Sequence, residues 1–283
     1  MASFTNFATL SYNGGTTNSN IVTGEILEAL TAVKTAVSAN YSAGDRITYA
    51  LSLVNTGTAA ITDYTVTDNL GGYTVGANTV YPLAYNTGTV RYYINGVLQT
   101  APTVTAGPPL TVTGLTVPAG GSAVLIYETT ATPVAPLATG SSITNTATIT
   151  GGGLTNLITA QATVETANSA DLTISKALSP TTVTENGRIT YTFVISNTGN
   201  TEATATGNVV VTDTFAPILR NIAVTYNGTA WTEGTNYTYN AATGVFTTLA
   251  GQITVPAASF SQNTDGTFTV TPGTTTLVIT GTV

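Results

Sequence analysis

Cysteine and histidine are both absent from the 283 residues, and only 7% of the residues carry a charge. Without cysteine the chain has no disulfide and no thiolate metal site. Six Lys and Arg stand against 13 Asp and Glu. Six dispersed cations build no basic patch, which argues against nucleic acid as a partner. No apolar run nears the ~20 residues that a membrane helix requires, so membrane insertion is not expected. There is no histidine base, no cysteine nucleophile, no paired-carboxylate motif and no phosphate loop, so neither an enzyme nor a cofactor is expected. The acidic residues are too scattered for a calcium loop, and no metal site is expected. Met1-Ala2-Ser3-Phe4-Thr5 has neither the basic nor the apolar stretch of a secretory signal. The expectation is that an export signal has been trimmed away, or that the protein assembles inside a cell and is released later.

Threonine, valine, alanine, glycine, asparagine and tyrosine dominate instead. Thr, Val and Tyr favour strands, while Gly, Asn and Pro mark turns. No long amphipathic helix is visible, although residues 23–37 have local helical potential. Self-comparison organises the chain. Leu30-Thr31-Ala32-Val33-Lys34 returns as Leu172-Thr173-Ile174-Ser175-Lys176, and Arg46-Ile47-Thr48-Tyr49 as Arg188-Ile189-Thr190-Tyr191. Asn55-Thr56-Gly57 returns as Asn197-Thr198-Gly199, and Val66-Thr67-Asp68 as Val211-Thr212-Asp213. Pro118-Ala119-Gly120 with Val124-Leu125-Ile126 is aligned with Pro272-Gly273 and Leu277-Val278-Ile279. Two copies of one domain follow. Short alternating runs between turn residues give the fold class: all-β, two tandem immunoglobulin-like antiparallel sandwiches. The Asn-Thr-Gly pair, Asn95-Gly96 and Asn227-Gly228 read as hairpin turns. The boundaries are 1–28 for an N-terminal donor strand or hairpin, 29–165 for domain 1, 166–170 for a linker and 171–283 for domain 2.

The copies differ at their ends. Domain 1 continues through Ser142-Ile143-Thr144-Asn145-Thr146-Ala147-Thr148-Ile149-Thr150 and a further strand over about 158–165, whereas domain 2 stops at Val283. Ser3-Phe4-Thr5-Asn6-Phe7-Ala8-Thr9-Leu10-Ser11 matches the first of these runs, and residues 21–26 stand for the second. The N-terminus reads as a spare closing hairpin for the incomplete second sandwich. Phe4, Asn6, Ala8, Leu10 and Tyr12 share one face by the period of two. Burying Phe4, Leu10 and Tyr12 gains roughly 5–9 kcal/mol before the ordering cost. Residues 23–29 reach at most about 25 Å, too short to return the hairpin along a sandwich roughly 35 Å tall. Addition to a neighbour is heterologous and does not close, so it generates a filament. An edge strand within the same chain, a disordered tail, or a longer native chain that has been cut, are the alternatives.

Three polar residues fall on apolar stripes. Domain 1 carries Lys34, Asp68 and Asn145. Domain 2 carries Lys176 and Asp213, and Asn6 of an incoming hairpin would supply its asparagine. A buried lysine and aspartate are costly unless paired. One resolution is an isopeptide bond, with a neutral lysine attacking the amide carbon and a protonated aspartate shuttling protons. Lys34–Asn145 would be intramolecular and Lys176–Asn6 would weld neighbours. The other resolutions are a Lys–Asp ion pair capped by the asparagine, or unrelated positions with the lysine reaching out to water.

Lys34, Arg46-Ile47-Thr48-Tyr49, the Asn-Thr-Gly and Val-Thr-Asp elements and Asn145-Thr146-Ala147-Thr148 together resemble the conserved-repeat surface domains of bacteria and archaea, known as the eleventh domain of unknown function. The resemblance covers both domains. It implies an extracellular, Ig-like, tandem and structural protein, with the cell or spore surface as its place. That family keeps its closing strand within each repeat, and domain 2 departs from this. The function expected is a pilus-like fibre or appendage subunit that polymerises with itself, with anchoring or tip proteins as further partners. The rival is a surface adhesin or carbohydrate-binding module, with Trp231, Tyr237 and Tyr239 as an aromatic platform.

Overall fold

The computed structural model describes residues 2–26 and 29–283. It is an all-β structure of antiparallel strands. It divides into two compact units, one running to Ala135 and including Ser142–Glu165, the other formed by Pro136–Ser141 and Thr166–Val283.

Four short strands open the chain: β1 (Ala2–Asn6), β2 (Thr9–Tyr12), β3 (Gly15–Asn18) and β4 (Val22–Ile26). β1 pairs with β4 and β2 with β3, which makes one long hairpin. Asn13 and Gly14 form its two-residue tip with φ of 40° and 83°, the conformation that Asn-Gly accepts readily. The local helical potential of residues 23–37 is not realised, because Val22–Ile26 and Leu30–Ala36 are strands. Strand pairing here overrides local propensity.

Domain 1 follows with β5 (Leu30–Ala36), β6 (Asn40–Tyr41), β7 (Arg46–Asn55), β8 (Ile61–Asp68), β9 (Tyr73–Val75), β10 (Asn78–Val80), β11 (Leu83–Tyr85), β12 (Arg91–Ile94), β13 (Val97–Leu98), β14 (Thr103–Thr105), β15 (Leu110–Val117), β16 (Ser122–Ala131), β17 (Ser142–Gly151) and β18 (Ile158–Thr166). One sheet has the order β13-β12-β16-β7-β5, and the other β14-β15-β8-β17-β18-β6. Alternation along β7 and β16 buries Tyr49, Leu51, Leu53, Leu125 and Tyr127, and Val66, Ala147 and Ile149 of the second sheet are buried as well.

Domain 2 holds β19 (Leu172–Ser179), β20 (Arg188–Asn197), β21 (Thr212–Thr214), β22 (Arg220–Tyr226), β23 (Thr229–Trp231), β24 (Tyr237–Asn240), β25 (Val245–Thr248), β26 (Ser259–Gln262), β27 (Phe268–Thr271) and β28 (Gly273–Thr282). Its first sheet, β19-β20-β28-β22-β23, repeats the order β5-β7-β16-β12-β13 of domain 1, where β11 pairs with β16 as a sixth strand. Its second sheet is reduced to β21-β25-β24. β21 and β25 correspond to β8 and β15, and among the described residues nothing corresponds to β17 and β18.

The Asn-Gly pairs at 95–96 and 227–228 are two-residue hairpin tips. The Asn-Thr-Gly elements are not hairpins. They carry the chain from one sheet towards the other, because β7 and β8 lie in different sheets. Asn55 Nδ2 donates to Ala59 O and Pro118 O at 2.8 and 3.0 Å, while its Oδ1 accepts from Gly57 N–H. Asn197 repeats this with Thr201, Pro256 and Gly199. The buried side-chain amide replaces backbone partners that a crossing segment lacks.

Candidate functional site

The site begins with the pairing of β17 and β18. Ser142 lies opposite Glu165, Ile143 opposite Val164, Thr144 opposite Thr163 and Asn145 opposite Ala162. In the N-terminal hairpin Ser3 lies opposite Glu25, Phe4 opposite Gly24, Thr5 opposite Thr23 and Asn6 opposite Val22. The hairpin thus carries the register of the domain 1 closing pair. Beyond Asn6 it bulges by one residue on the return strand, since Thr9 pairs with Asn18; Ala8 N–H donates to Ser19 Oγ there. Its apolar side chains stand in solvent: Phe4 is 54% exposed, Leu10 62% and Tyr12 61%. Ala8 and Asn6 are exposed as well.

In domain 1, β8 is held on both edges. β15 covers one, with Leu110 opposite Asp68, and β17 the other, with Ala147 opposite Asp68. In domain 2, β21 is held on one edge only, by β25, with Phe246 opposite Asp213. The edge that β17 covers in domain 1 has no strand in domain 2. The consequence reaches the facing sheet. Lys34 on β5 is buried, whereas on β19 Ile174 is 55% and Leu178 38% exposed.

The β5–β8–β17 arrangement brings three polar side chains into the domain 1 core. Lys34 Nζ lies 2.5 Å from Asp68 Oδ2, and both side chains are buried. Tyr127 donates its hydroxyl to the same carboxylate oxygen, and Leu70 N–H donates to Asp68 Oδ1 at 2.9 Å. The ammonium lies over the Tyr49 ring, 4.8 Å from its centroid. Burial lowers the Lys34 pKa to about 8, although the Asp68 carboxylate opposes this. Burial pushes the Tyr127 hydroxyl well up, and Asp68 adds to that. Asn145 is fully buried, yet neither its Oδ1 nor its Nδ2 makes a hydrogen bond. Its amide is still close enough to Tyr49 and Tyr127 to pull slightly against the rise in their hydroxyl pKa values. An unpaired buried carboxamide costs about 1–3 kcal/mol; like Asn145, the buried hydroxyls of Tyr49 and Tyr64 have no hydrogen-bond partner.

In domain 2, Lys176 Nζ lies 2.5 Å from Asp213 Oδ2, but the lysine side chain is 40% exposed and the aspartate 17%. The ammonium lies over Tyr191, Phe193 and Phe215 at 4.5, 5.4 and 5.5 Å from their centroids. Lys34 and Lys176 are the only lysines of the chain.

Tyr127 has no tyrosine counterpart in domain 2, and the match of the two copies by their letters is out of step by one residue at this strand. Tyr49 pairs with Tyr127 and Leu51 with Leu125, whereas Tyr191 pairs with Ile279 and Phe193 with Leu277. Leu277 therefore corresponds to Leu125, not to Val124, and Ile279 stands where domain 1 has Tyr127. The alternation of β16 across from Tyr49 was the signal available in the sequence. The residues of the aromatic platform are packed into domain 2. Tyr237 is 4% exposed with its ring centroid 5.2 Å from that of Phe246, Tyr239 donates to Leu219 O, and Trp231 stacks on Tyr226.

No protein-family model and no characterised protein matches the sequence. Some solved structures are similar to the chain. BcpA, the major pilin subunit of Bacillus cereus, aligns over 96% of this chain and 73% of its own, at 15% identity and a TM-score of 0.36. The 35 kDa C-terminal fragment of the major pilin GBS80 of Streptococcus agalactiae aligns over 87% of each chain, at 14% identity and a TM-score of 0.37. The N-terminal domain of the Streptococcus gordonii adhesin Sgo0707 aligns over 47% of this chain at 16% identity and a TM-score of 0.35, and the match spans 31% of that chain. Among the described residues no helix is long and apolar enough to cross a membrane.

Proposed function

We propose that the chain is the structural subunit of a fibre on a cell or spore surface, built head to tail from copies of itself. The hairpin of one subunit completes domain 2 of the next. The observation that carries this reading is the shared register: Ser3 to Asn6 pair with Glu25 to Val22 as Ser142 to Asn145 pair with Glu165 to Ala162. A sheet edge left open next to a buried core is a template for strand addition, and a matching amphipathic hairpin is its natural occupant. Because donor and acceptor are different surfaces, the contact propagates. Anchoring and tip proteins would occupy the two ends.

Two isopeptide bonds seal the fibre in this proposal. Neutral Lys34 Nζ attacks Asn145 Cγ. The Nζ–Cγ bond forms, the Cγ–Nδ2 bond breaks, and the displaced nitrogen leaves as ammonia after taking one proton from Nζ by way of Asp68. Lys34 at a pKa of about 8 is deprotonated more easily than a free lysine. An asparagine that merely capped the ion pair would hydrogen-bond to it, and Asn145 does not. The same chemistry joins Lys176 to Asn6 of the incoming hairpin, beside Asp213. Denaturing electrophoresis with intact-mass measurement tests this. The expected result is a boiling-resistant ladder that Asn6→Ala or Lys176→Ala abolishes. A monomer band alone would remove the intersubunit bond from the account.

A further inference from the structure

β17 fixes where a closing strand sits. It pairs with β8 so that Ala147 faces Asp68, Thr148 faces Thr67 and Ile149 faces Val66. β18 lies outside it and is flanked by β6, and Glu165 N–H donates to Ala39 O at 2.9 Å. Through the repeat, Asp68 becomes Asp213, Ala39 becomes Thr181 and Tyr41 becomes Val183. Through the hairpin, Ala147 becomes Ala8, Ile143 becomes Phe4, Val164 becomes Gly24 and Glu165 becomes Glu25.

Side-chain size is redistributed between these positions. In domain 1 Ile143, Val164 and Tyr41 are all buried. On the hairpin, Phe4 takes the place of Ile143 and Gly24 that of Val164. A Cβ on Gly24 would lie 2.4 Å from Phe4 Cζ, so the ring lies over the bare glycine. In domain 2, Val183 takes the place of Tyr41 and is 36% exposed. The set has one ring in each case, but the ring has moved from the acceptor wall to the inserting strand.

We infer that the hairpin seats on the free edge of β21 in a second copy, with Ala8 opposite Asp213 and Thr9 opposite Thr212, and that Phe4 and Gly24 fit it to domain 2 rather than domain 1. This rests on the fibre reading above and specifies its partner surface and register. Asn6 comes to the Lys176–Asp213 pair, Glu25 N–H meets Thr181 O, and the Phe4 ring fills the space that Val183 leaves. Domain 1 cannot take the hairpin, since β17 occupies its edge and Tyr41 its volume.

A cysteine-free chain allows a direct test of register. In the full-length chain carrying Asn6→Ala, which removes the bond to Lys176, Thr9→Cys is combined with Thr212→Cys. Facing residues of an antiparallel pair have Cα atoms about 5.5 Å apart, within disulfide range, while positions two residues off are beyond about 7 Å. Mild oxidation is expected to give a reducible ladder, and Ser11→Cys with Thr212→Cys to give about a tenth as much or less. Polymers that cross-link through Ser11, or through neither pair, would overturn the register and leave the fibre standing. A chain that stays monomeric before oxidation would overturn both. Phe4→Ile with Gly24→Val, which copies domain 1, is expected to lower cross-linking about tenfold, the equivalent of ~1.4 kcal/mol. An unchanged yield would overturn the role of that pair.

Discussion

Ser3 stands opposite Glu25 across the N-terminal hairpin, a pairing that domain 1 reproduces with its own closing strands. A hairpin of this length is marginal alone in water, and its apolar face is exposed. In the proposed fibre Phe4 and Leu10 therefore contribute to assembly and not to the stability of the free subunit. Phe4→Ala and Leu10→Ala are each expected to weaken subunit association by about 1.5–3 kcal/mol, roughly 10–100-fold in the concentration needed to polymerise. Monomer thermal unfolding should not change. A fall in monomer melting temperature with unaltered assembly would place these side chains in an intrachain role.

Asn145 separates the covalent account from an ordinary core. If Lys34 is joined to it, the intact mass is lower by one ammonia, and Asn145→Leu costs the crosslink. If it is not joined, Asn145→Leu removes an unpaired buried amide and is neutral or stabilising, by about 1–2 kcal/mol. The account predicts the mass deficit and a destabilised variant in calorimetry.

Asp68 accepts from Lys34, Tyr127 and the Leu70 amide. Asp68→Ala leaves an uncompensated buried cation, with an expected cost of about 3–5 kcal/mol. The same change should abolish the ammonia loss, because the carboxylate that passes the proton from Nζ to the leaving nitrogen is gone. Retention of the mass deficit in Asp68→Ala would exclude that role.

A free Lys34 also sets a pH dependence. Its pKa in the fold is about 8, below the 10.5 of an unburied lysine. Below pH 8 both folded and unfolded chains hold the proton, and the cost of burying the ammonium is fully present. Between 8 and 10.5 the unfolded chain binds more protons, so stability rises with pH. Buried tyrosines act in the opposite sense above pH 10, where the unfolded chain ionises first; Tyr41 is pushed up to about 12. Asn145→Ala, which cannot form the bond, is expected to gain about 2 kcal/mol in domain 1 between pH 7 and pH 10. The bonded wild type should show no such rise, since an amide nitrogen does not titrate. Denaturant melts across that range measure the difference.

Much of this architecture was legible because strand arithmetic is simple. Identical tetrapeptides at Arg46 and Arg188 locate the repeat, and the period of two puts Lys34 and Asp68 on core faces. The extra polar partner was less legible. Tyr127 lies in a run of apolar and threonine residues interrupted by Glu128, Ala123 to Ala131, whose letters align almost equally well one residue out of step, and only the pairing with Tyr49 fixes them. The Asn-Thr-Gly elements look like hairpin tips locally, but the choice between turning back and crossing to the other sheet depends on which strand pairs next. The strands at Val22–Ile26 and Leu30–Ala36 replace a local helical tendency, since their partners, β1 and β7, lie elsewhere in the sequence.

Removal of the hairpin tests the central claim most directly. Full-length protein and a chain lacking residues 1–20 are compared by native sizing at the same concentration, with and without a peptide of residues 1–26. The account predicts multimers from the full chain, monomers from the truncated one, and a one-to-one complex of the truncated chain with the peptide. Multimers from the truncated chain would contradict it.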